Sequence, residues 1–234
     1  MNIVITGASK GLGKAFALQF AKHGHTLLLC ARNEATLLTT AAEIKLLYTN
    51  CTIHTKAVDL SNKKAVIAFG NWCLSIGVPD ILINNAGRFI PGSVHNEADG
   101  ILEQMIQTNL YSAYHLTRTI LPAMQQSTSS NKHIFNICSI ASVQAYSNGG
   151  SYSISKFALL GFSKNLREEL KPHNIKVTAV LPGAAYTDSW IGSGIDENRI
   201  MEANDVAAMV FAASQLSTKA CVEEILLRPQ LGDL

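Results

Sequence analysis

The stretch Thr6-Gly7-Ala8-Ser9-Lys10-Gly11-Leu12-Gly13 decides the fold class of this 234-residue chain. It follows a predicted apolar strand, Asn2–Thr6, and leads directly into a predicted helix, Leu12–His23. Glycines permit a tight turn and let a pyrophosphate approach the backbone, while the helix N-terminus offers free N–H groups and the positive end of its dipole. The stretch therefore predicts a phosphate-binding loop between a strand and a helix.

Apolar strands and amphipathic helices alternate along the rest of the chain. The further predicted strands are Thr26–Ala31, Ile53–Val58, Ile81–Asn84, Ile134–Ser139, Lys176–Leu181 and Glu224–Leu227. The further helices include Glu34–Tyr48, Ile101–Met124, Ser151–Lys171 and Asn204–Gln215. This order predicts one doubly wound, Rossmann-type α/β domain over residues 1–234, with a seven-stranded, mainly parallel sheet and helices on both faces. Residues 183–200 follow a strand end without a clear period, so we expect a substrate flap there.

Composition excludes several classes of protein. Hydrophobic residues make up 47% and charged residues 15%, which suits a packed core, and a net charge of +2 is too small to indicate a nucleic-acid partner. The five cysteines are odd in number and lack C-x-x-C spacing, which argues against disulfides and a metal site and for a cytoplasmic location. With no basic leader and no apolar stretch of membrane length, we expect neither a signal peptide nor a membrane partner.

The end of the second strand, Cys30-Ala31-Arg32, indicates which dinucleotide the phosphate-binding loop would hold, NAD or NADP. A site selective for NAD usually has an acid near this position for the ribose 2′-hydroxyl. Here Arg32 occupies the region and Lys10 lies in the glycine loop, and two cations would pair with a 2′-phosphate. We therefore expect NADP(H), the alternative being that Arg32 is an ordinary solvated residue at a helix start.

The loop spacing G-x-x-x-G-x-G resembles that of the short-chain dehydrogenase/reductase family, and further motifs extend the resemblance over nearly the whole chain. They are Asn84-Asn85-Ala86-Gly87, a Ser139 that precedes Tyr152 by 13 residues, and Pro182-Gly183 followed by Thr187. Together with the residues considered above, the resemblance implies a cofactor site formed by Gly7, Ser9, Lys10, Gly11, Leu12, Gly13, Arg32, Asn33, Asp59, Leu60, Asn85, Ala86, Gly87, Tyr152, Lys156, Pro182, Gly183 and Thr187.

Tyr152 and Lys156 share a helix face, four residues apart, and form the predicted catalytic centre with Ser139. A phenol with a pKa near ~10 is a poor acid at neutral pH, and a nearby ammonium is expected to lower that pKa. Tyr152 would then give a proton to a carbonyl oxygen that Ser139 holds. Asn109 falls on an apolar helix stripe. The resemblance implies a water relay to Lys156 there, and a structural amide is the alternative.

The C-terminal half carries Pro182-Gly183-Ala184-Ala185-Tyr186-Thr187 with Trp190 close behind, Val222-Glu223-Glu224-Ile225-Leu226-Leu227-Arg228-Pro229 and a final Gly232-Asp233-Leu234. These segments resemble those of bacterial sepiapterin reductases within the family. The resemblance implies that Asp233 pairs with the guanidine-like edge of a pterin and that Trp190 stacks on its ring. The predicted substrate residues are Ser139, Tyr146, Tyr152, Trp190 and Asp233. We expect NADPH-dependent reduction of a small carbonyl substrate, a pterin side-chain ketone or a diketone. The alternatives are a 3-oxoacyl-thioester reductase and a regulator that senses NADP(H) without turnover. The resemblance also implies a homodimer or homotetramer through the two long helices.

Overall fold

The computed structural model describes residues 1–187 and 194–233. Its main strands are β1 (Asn2–Thr6), β2 (Thr26–Ala31), β3 (Thr52–Ala57), β4 (Ile81–Asn84), β5 (Lys132–Ile137) and β6 (Ile175–Pro182), with short β7 (Ala185–Tyr186) and β8 (Met201–Glu202) and a final β9 (Glu224–Leu227). The α-helices are α1 (Gly11–Ala21), α2 (Glu34–Leu47), α3 (Lys63–Ile76), α4 (Ile101–Ile106), α5 (Ser112–Gln126), α6 (Gly150–Leu170) and α7 (Ala203–Ser214).

Seven strands form one parallel sheet in the order β3-β2-β1-β4-β5-β6-β9. The order reverses between β1 and β4, and the carboxyl ends of the two strands open a crevice there, where such sheets bind ligands. The predicted doubly wound, Rossmann-type fold is confirmed. Two further strands, β7 and β8, pair with each other beside the sheet and were not predicted.

Each face of the sheet has its own hydrophobic core, because side chains alternate along a strand. On β1, Ile3 and Ile5 pack under α1, α2 and α7, whereas Val4 packs on the opposite face under α3, α5 and α6. Large buried aromatics fill the two layers, with Phe16 in the first and Phe69 in the second. The cores keep the strand ends fixed, and with them the loops of the crevice.

The predicted helix Ile101–Met124 is wrong as one continuous α-helix. A single π-helical turn, Gln107–Tyr111, separates α4 from α5. A π turn inserts one residue into the helical repeat and is frequent at functional sites. Asn109 lies within this turn and is 1% exposed.

No helix within the described part of the chain is long and apolar enough to span a membrane.

Candidate active site

The glycine loop between β1 and α1 has a backbone that only glycine accommodates easily. Gly7 and Gly11 have φ values of +65° and +54°, in the left-handed region. At Gly13 a Cβ atom would lie 2.1 Å from the carbonyl oxygen of Gly7, far inside contact distance. The sequence motif therefore reflects a backbone that folds closely onto itself.

Neighbouring elements hold this loop in place. The side-chain amide of Asn85, just after β4, donates to the carbonyl oxygens of Thr6 at 2.8 Å and Gly7 at 3.2 Å. From α2, the Thr40 hydroxyl donates to the Ser9 carbonyl oxygen at 2.8 Å. The loop is thus fixed in advance, which reduces the entropy that a ligand must overcome on binding.

The first turn of α1 suits an anion. It contains no acidic residue, and Lys10, the residue before the helix, provides no side-chain cap, so the helix end keeps its positive character. Lys10 and Arg32 are both exposed at this end of the crevice. Asp59 is the acidic residue of the predicted cofactor set. Hydrogen bonds from Ser61, followed by the charge of Arg32, lower the pKa of its carboxyl group.

A cavity of about 580 Å³ runs along the carboxyl ends of the strands. It is lined by seventeen of the eighteen predicted cofactor residues: Gly7, Ser9, Lys10, Gly11, Leu12, Gly13, Arg32, Asn33, Asp59, Leu60, Asn85, Ala86, Gly87, Tyr152, Lys156, Pro182 and Thr187. Residues of its wall that the sequence analysis missed include Thr36, Val58, Ser61, Arg88, Phe89 and Thr108. Thr36 lies in α2 and Thr108 in the π turn, whereas the others follow or flank motif residues at strand ends, and the motifs gave no sign of any of them.

A second cavity, of about 260 Å³, adjoins the first. Its lining residues are Phe89, Ser139, Ile140, Gln144, Tyr146, Tyr152, Gly183, Ala184 and Asp233. Gly183 was predicted to contact the cofactor but lies here, because its N–H donates to the Leu227 carbonyl oxygen at 2.8 Å and so holds it at the end of β9. The two cavities share Phe89, Ser139 and Tyr152. Ser139 and Tyr152 of the predicted catalytic centre therefore lie at the junction of the cavities.

Tyr152 lies in the first turn of α6, with its ring edge-to-face against Phe89 at 5.0 Å between centroids. Burial raises the pKa of its phenol, and a hydrogen bond with Ser139 acts in the opposite direction. The predicted lowering by Lys156 is therefore wrong for the protein alone, since burial outweighs the other influences. The phenol keeps its proton at neutral pH.

Lys156 is one helical turn further along α6 and is 5% exposed. Its ammonium group donates to the Ile137 carbonyl oxygen at 2.8 Å and lies 5.7 Å from the centroid of the Tyr152 ring. Burial lowers the pKa of Lys156 to about 8, and the neighbouring Cys138 opposes that shift. The amine remains mostly protonated at pH 7.

Asn109 lies behind the cavity wall and lines neither cavity. Its amide oxygen accepts from the Arg88 N–H at 2.8 Å, and its amide nitrogen donates to the Arg88 carbonyl oxygen at 3.1 Å and to the Ser155 hydroxyl at 2.9 Å. A Cβ atom on Gly87 would lie 3.3 Å from the Asn109 amide oxygen and 3.6 Å from the Lys156 nitrogen. Asn109 and Lys156 therefore flank the same glycine.

Glu97 supports the catalytic helix and was missed by the sequence analysis. Its carboxylate accepts from the Ser151 N–H at 3.3 Å and from the Ser151 hydroxyl, at the start of α6 beside Tyr152. Gly149, the residue before α6, provides no side-chain cap, so a residue from the β4–α4 loop performs that task. A cap across 54 residues of sequence has no local signal.

The predicted substrate residues Ser139, Tyr146, Tyr152 and Asp233 line the smaller cavity. Trp190 lies outside the described residues, as does the middle of the predicted flap at 183–200. Cys138 lines the larger cavity, and burial raises the pKa of its thiol to about 12, which leaves it a poor nucleophile.

A family model and a known protein both match this chain over most of its length. The family model for short chain dehydrogenase matches residues 1–198. Sepiapterin reductase from Chlorobaculum tepidum is 32% identical over 247 residues, covering 99% of this chain and 97% of that protein.

Two solved structures are also similar. One is a metagenomic short-chain oxidoreductase in complex with NADP, with 30% identity, a TM-score of 0.83 and coverage of 98% of this chain and 97% of that chain. The other is L-sorbose reductase from Gluconobacter frateurii in complex with NADPH and L-sorbose, with 28% identity, a TM-score of 0.88 and coverage of 97% and 94%. The family match, the sheet order and the residues at the cavity junction agree, and the chain belongs to the short chain dehydrogenase family.

Proposed function

We propose that this protein reduces a ketone to an alcohol with NADPH, with Tyr152 as the proton donor. The observation that carries the proposal is the junction of the two cavities, where Ser139 and Tyr152 belong to both walls. A cofactor in the larger cavity and a carbonyl compound in the smaller one would meet at these two side chains. Asn109, Ser139, Tyr152 and Lys156 are the proposed catalytic set.

The larger cavity fits an NADP molecule. Its volume of about 580 Å³ is within the range of small-molecule and cofactor sites. The glycine loop and the uncapped start of α1 would hold the pyrophosphate. Lys10 and Arg32 would pair with the 2′-phosphate that distinguishes NADP from NAD. Related short-chain enzymes solved with NADP and NADPH support this choice.

The bound cofactor supplies a hydride, and the protein manages the oxygen that receives it. Ser139 holds the carbonyl oxygen by a hydrogen bond, which stabilises the negative charge that develops there. Tyr152, protonated at neutral pH because its pKa is raised, donates its proton to the same oxygen. The Lys156 ammonium lies beside the tyrosine ring and would stabilise the phenolate left behind.

For the substrate we propose a pterin side-chain ketone or another small diketone. The smaller cavity of about 260 Å³ suits a compact molecule, and it has an aromatic ring, Tyr146, and a carboxylate, Asp233, on its wall. A pterin would stack on the ring and donate from its guanidine-like edge to the carboxylate. The full-length similarity to a sepiapterin reductase supports the same class of substrate.

A panel of carbonyl compounds tests this function. NADPH oxidation would be followed spectrophotometrically with sepiapterin, diacetyl, acetoacetyl-CoA and L-sorbose at equal concentrations. We expect kcat/KM for sepiapterin or diacetyl to exceed that for the thioester by at least about tenfold, which is 1.4 kcal/mol of transition-state preference. Preference for acetoacetyl-CoA would identify a 3-oxoacyl-thioester reductase. NADPH binding without turnover of any compound would favour a sensing role.

We further propose a homo-oligomer formed through α5 and α6 in the cytoplasm. Exposed aromatic and aliphatic side chains on this side of the molecule support the interface; they are Tyr111, Tyr114, Ile154 and Phe157. Light scattering should give a dimer or tetramer, and a monomeric mass at micromolar concentration would contradict the proposal.

A further inference from the structure

The carboxylate of Asp233 occupies the wall of the smaller cavity, although it belongs to the C-terminal tail, residues 229–233. A short chain end is usually poorly ordered unless other groups tie it down. The tail makes one tight turn, in which the Gly232 N–H bonds the Pro229 carbonyl oxygen at 2.8 Å and Gly232 has a φ of +83°. This turn alone does not attach the tail to the rest of the protein.

Arg199 attaches the tail through three backbone carbonyls. Its guanidinium donates to the carbonyl oxygens of Gly232 at 2.9 Å, Asp233 at 3.0 Å and Leu231 at 3.3 Å. Arginine suits this task because its planar fork carries five donors and its charge is permanent. Arg199 ends the short turn before β8, so it links the tail to the small β7–β8 sheet that follows β6.

Arg228 orients the side chain of Asp233. It forms an ion pair with one carboxylate oxygen of Asp233, Oδ2, and donates to the side-chain oxygen of Gln144 at 3.1 Å. Gln144 and Asp233 both line the smaller cavity, so Arg228 bridges two parts of its wall. The ion pair keeps the carboxylate in one orientation and balances its charge.

The other carboxylate oxygen of Asp233, Oδ1, is shielded from solvent and has no hydrogen-bond partner among the described residues. The position where Gly183 would carry a Cβ lies 3.2 Å from this oxygen, so any larger residue there would crowd it. An unpaired carboxylate oxygen out of water is costly, so the side chain gains from a further donor. Asp233 lines the smaller cavity with a side chain that is 28% exposed, and its carboxylate therefore offers an acceptor to a substrate that carries an N–H or O–H group.

We propose that Arg199 and Arg228 are positioning residues for the substrate, holding the C-terminal tail so that the Asp233 carboxylate accepts a hydrogen bond from the bound ketone. This inference rests on the proposed function and deepens it. It assigns the preference for donor-bearing ketones to two arginines that do not themselves line either cavity. Their loss should raise KM for such ketones and leave the chemistry at Tyr152 unchanged.

The test compares Arg199→Ala, Arg199→Lys, Asp233→Ala and the double variant Arg199→Ala/Asp233→Ala in the full chain. Arg167→Ala is the matched control, because Arg167 forms an ion pair with Glu223 at 3.0 Å and lines neither cavity. Sepiapterin is the donor-bearing ketone, and diacetyl, which has no N–H or O–H group, is the reference. Hydrogen exchange of the tail amides, followed by mass spectrometry with NADPH present, reports the attachment of the tail independently of turnover.

We expect Arg199→Ala to raise KM for sepiapterin by about tenfold or more, as for a lost hydrogen bond to a charged group, with kcat within about twofold and diacetyl unaffected. Arg199→Lys should recover part of the loss, and the double variant should behave as Asp233→Ala because the two residues act through one contact. Tail exchange should accelerate in Arg199→Ala and stay unchanged in Arg167→Ala.

Equal losses for both ketones, a loss confined to kcat, or additive effects in the double variant would overturn the proposal, and so would unchanged tail exchange. If the wild-type protein reduces neither ketone, the dissociation constant of sepiapterin from the NADPH-saturated protein replaces KM. In that case the proposed function fails, while the exchange and binding results still decide the role of Arg199. A wild-type protein that does not bind sepiapterin would overturn the substrate contact itself.

Discussion

The two cavities are built from different kinds of sequence segment. The larger one has short runs of consecutive residues at strand ends as its core, the glycine loop and residues 85–87. The smaller one is lined by single side chains from distant parts of the chain, among them Phe89, Gln144, Tyr146 and Asp233. The glycine loop and residues 85–87 are consecutive and leave motifs in the sequence, whereas Phe89, Ile140 and Gln144 of the smaller cavity belong to no motif and were not predicted.

The largest expected effect lies where the two cavities meet. Tyr152→Phe removes the proton donor but keeps the ring that packs on Phe89, so kcat for ketone reduction should fall by about 10²–10⁴-fold. The dissociation constant for NADPH, measured by fluorescence titration, should change by less than about threefold. Normal turnover by the variant would remove Tyr152 from the mechanism.

A second substitution tests whether the larger cavity depends on backbone geometry. In Gly13→Ala the new methyl group would meet the Gly7 carbonyl oxygen, so we expect about 3 kcal/mol or more of lost stability or an insoluble protein. Gly161→Ala on α6 is the matched control, because nothing lies within 4 Å of its Cβ position. Chemical denaturation should show this control unchanged or up to about 1 kcal/mol more stable. Equal stabilities of the two variants would contradict the close approach at Gly13.

The choice between NADPH and NADH depends on side chains of the larger cavity and not on the backbone of the glycine loop. Arg32→Ala should raise the dissociation constant for NADPH by about 10–100-fold and that for NADH by less than about twofold, since only NADPH carries the 2′-phosphate. Both constants follow from isothermal titration calorimetry, with Arg118→Ala on α5 as the control. Equal weakening of both cofactors would show that Arg32 does not select between them.

The last expected effect concerns the buried ammonium of Lys156, and it is no larger than that of the Gly13 substitution. Burial lowers the pKa of Lys156 to about 8 from its ordinary value of 10.5. Between pH 8 and pH 10.5 the unfolded chain keeps a proton on Lys156 that the native protein has released. The contribution of Lys156 to stability therefore rises with pH over this range. Relative to Lys156→Met, the wild-type protein should gain about 1–3 kcal/mol from pH 7.5 to pH 10. A difference that stays constant across this range would mean that the native amine titrates normally.

The strands, most helix bounds and the motif residues of the larger cavity were predictable, because hydrophobic periodicity and glycine spacing are local properties. The π turn was not, since the apolar stripe of residues 101–124 fits an uninterrupted helix equally well. The helix cap by Glu97 and the attachment of the tail by Arg199 were also missed, because each joins residues more than 30 positions apart. The raised pKa of Tyr152 follows from burial, which spacing on a helix does not report.

The transfer of hydride between the two cavities can be measured directly. NADPH carrying deuterium at the transferable position of its nicotinamide would be incubated with the protein and its preferred ketone, and the alcohol analysed by mass spectrometry. We expect one deuterium on the carbinol carbon, with the label transferred at a rate that falls in Tyr152→Phe. An alcohol without deuterium, or one labelled equally fast by the variant, would contradict it.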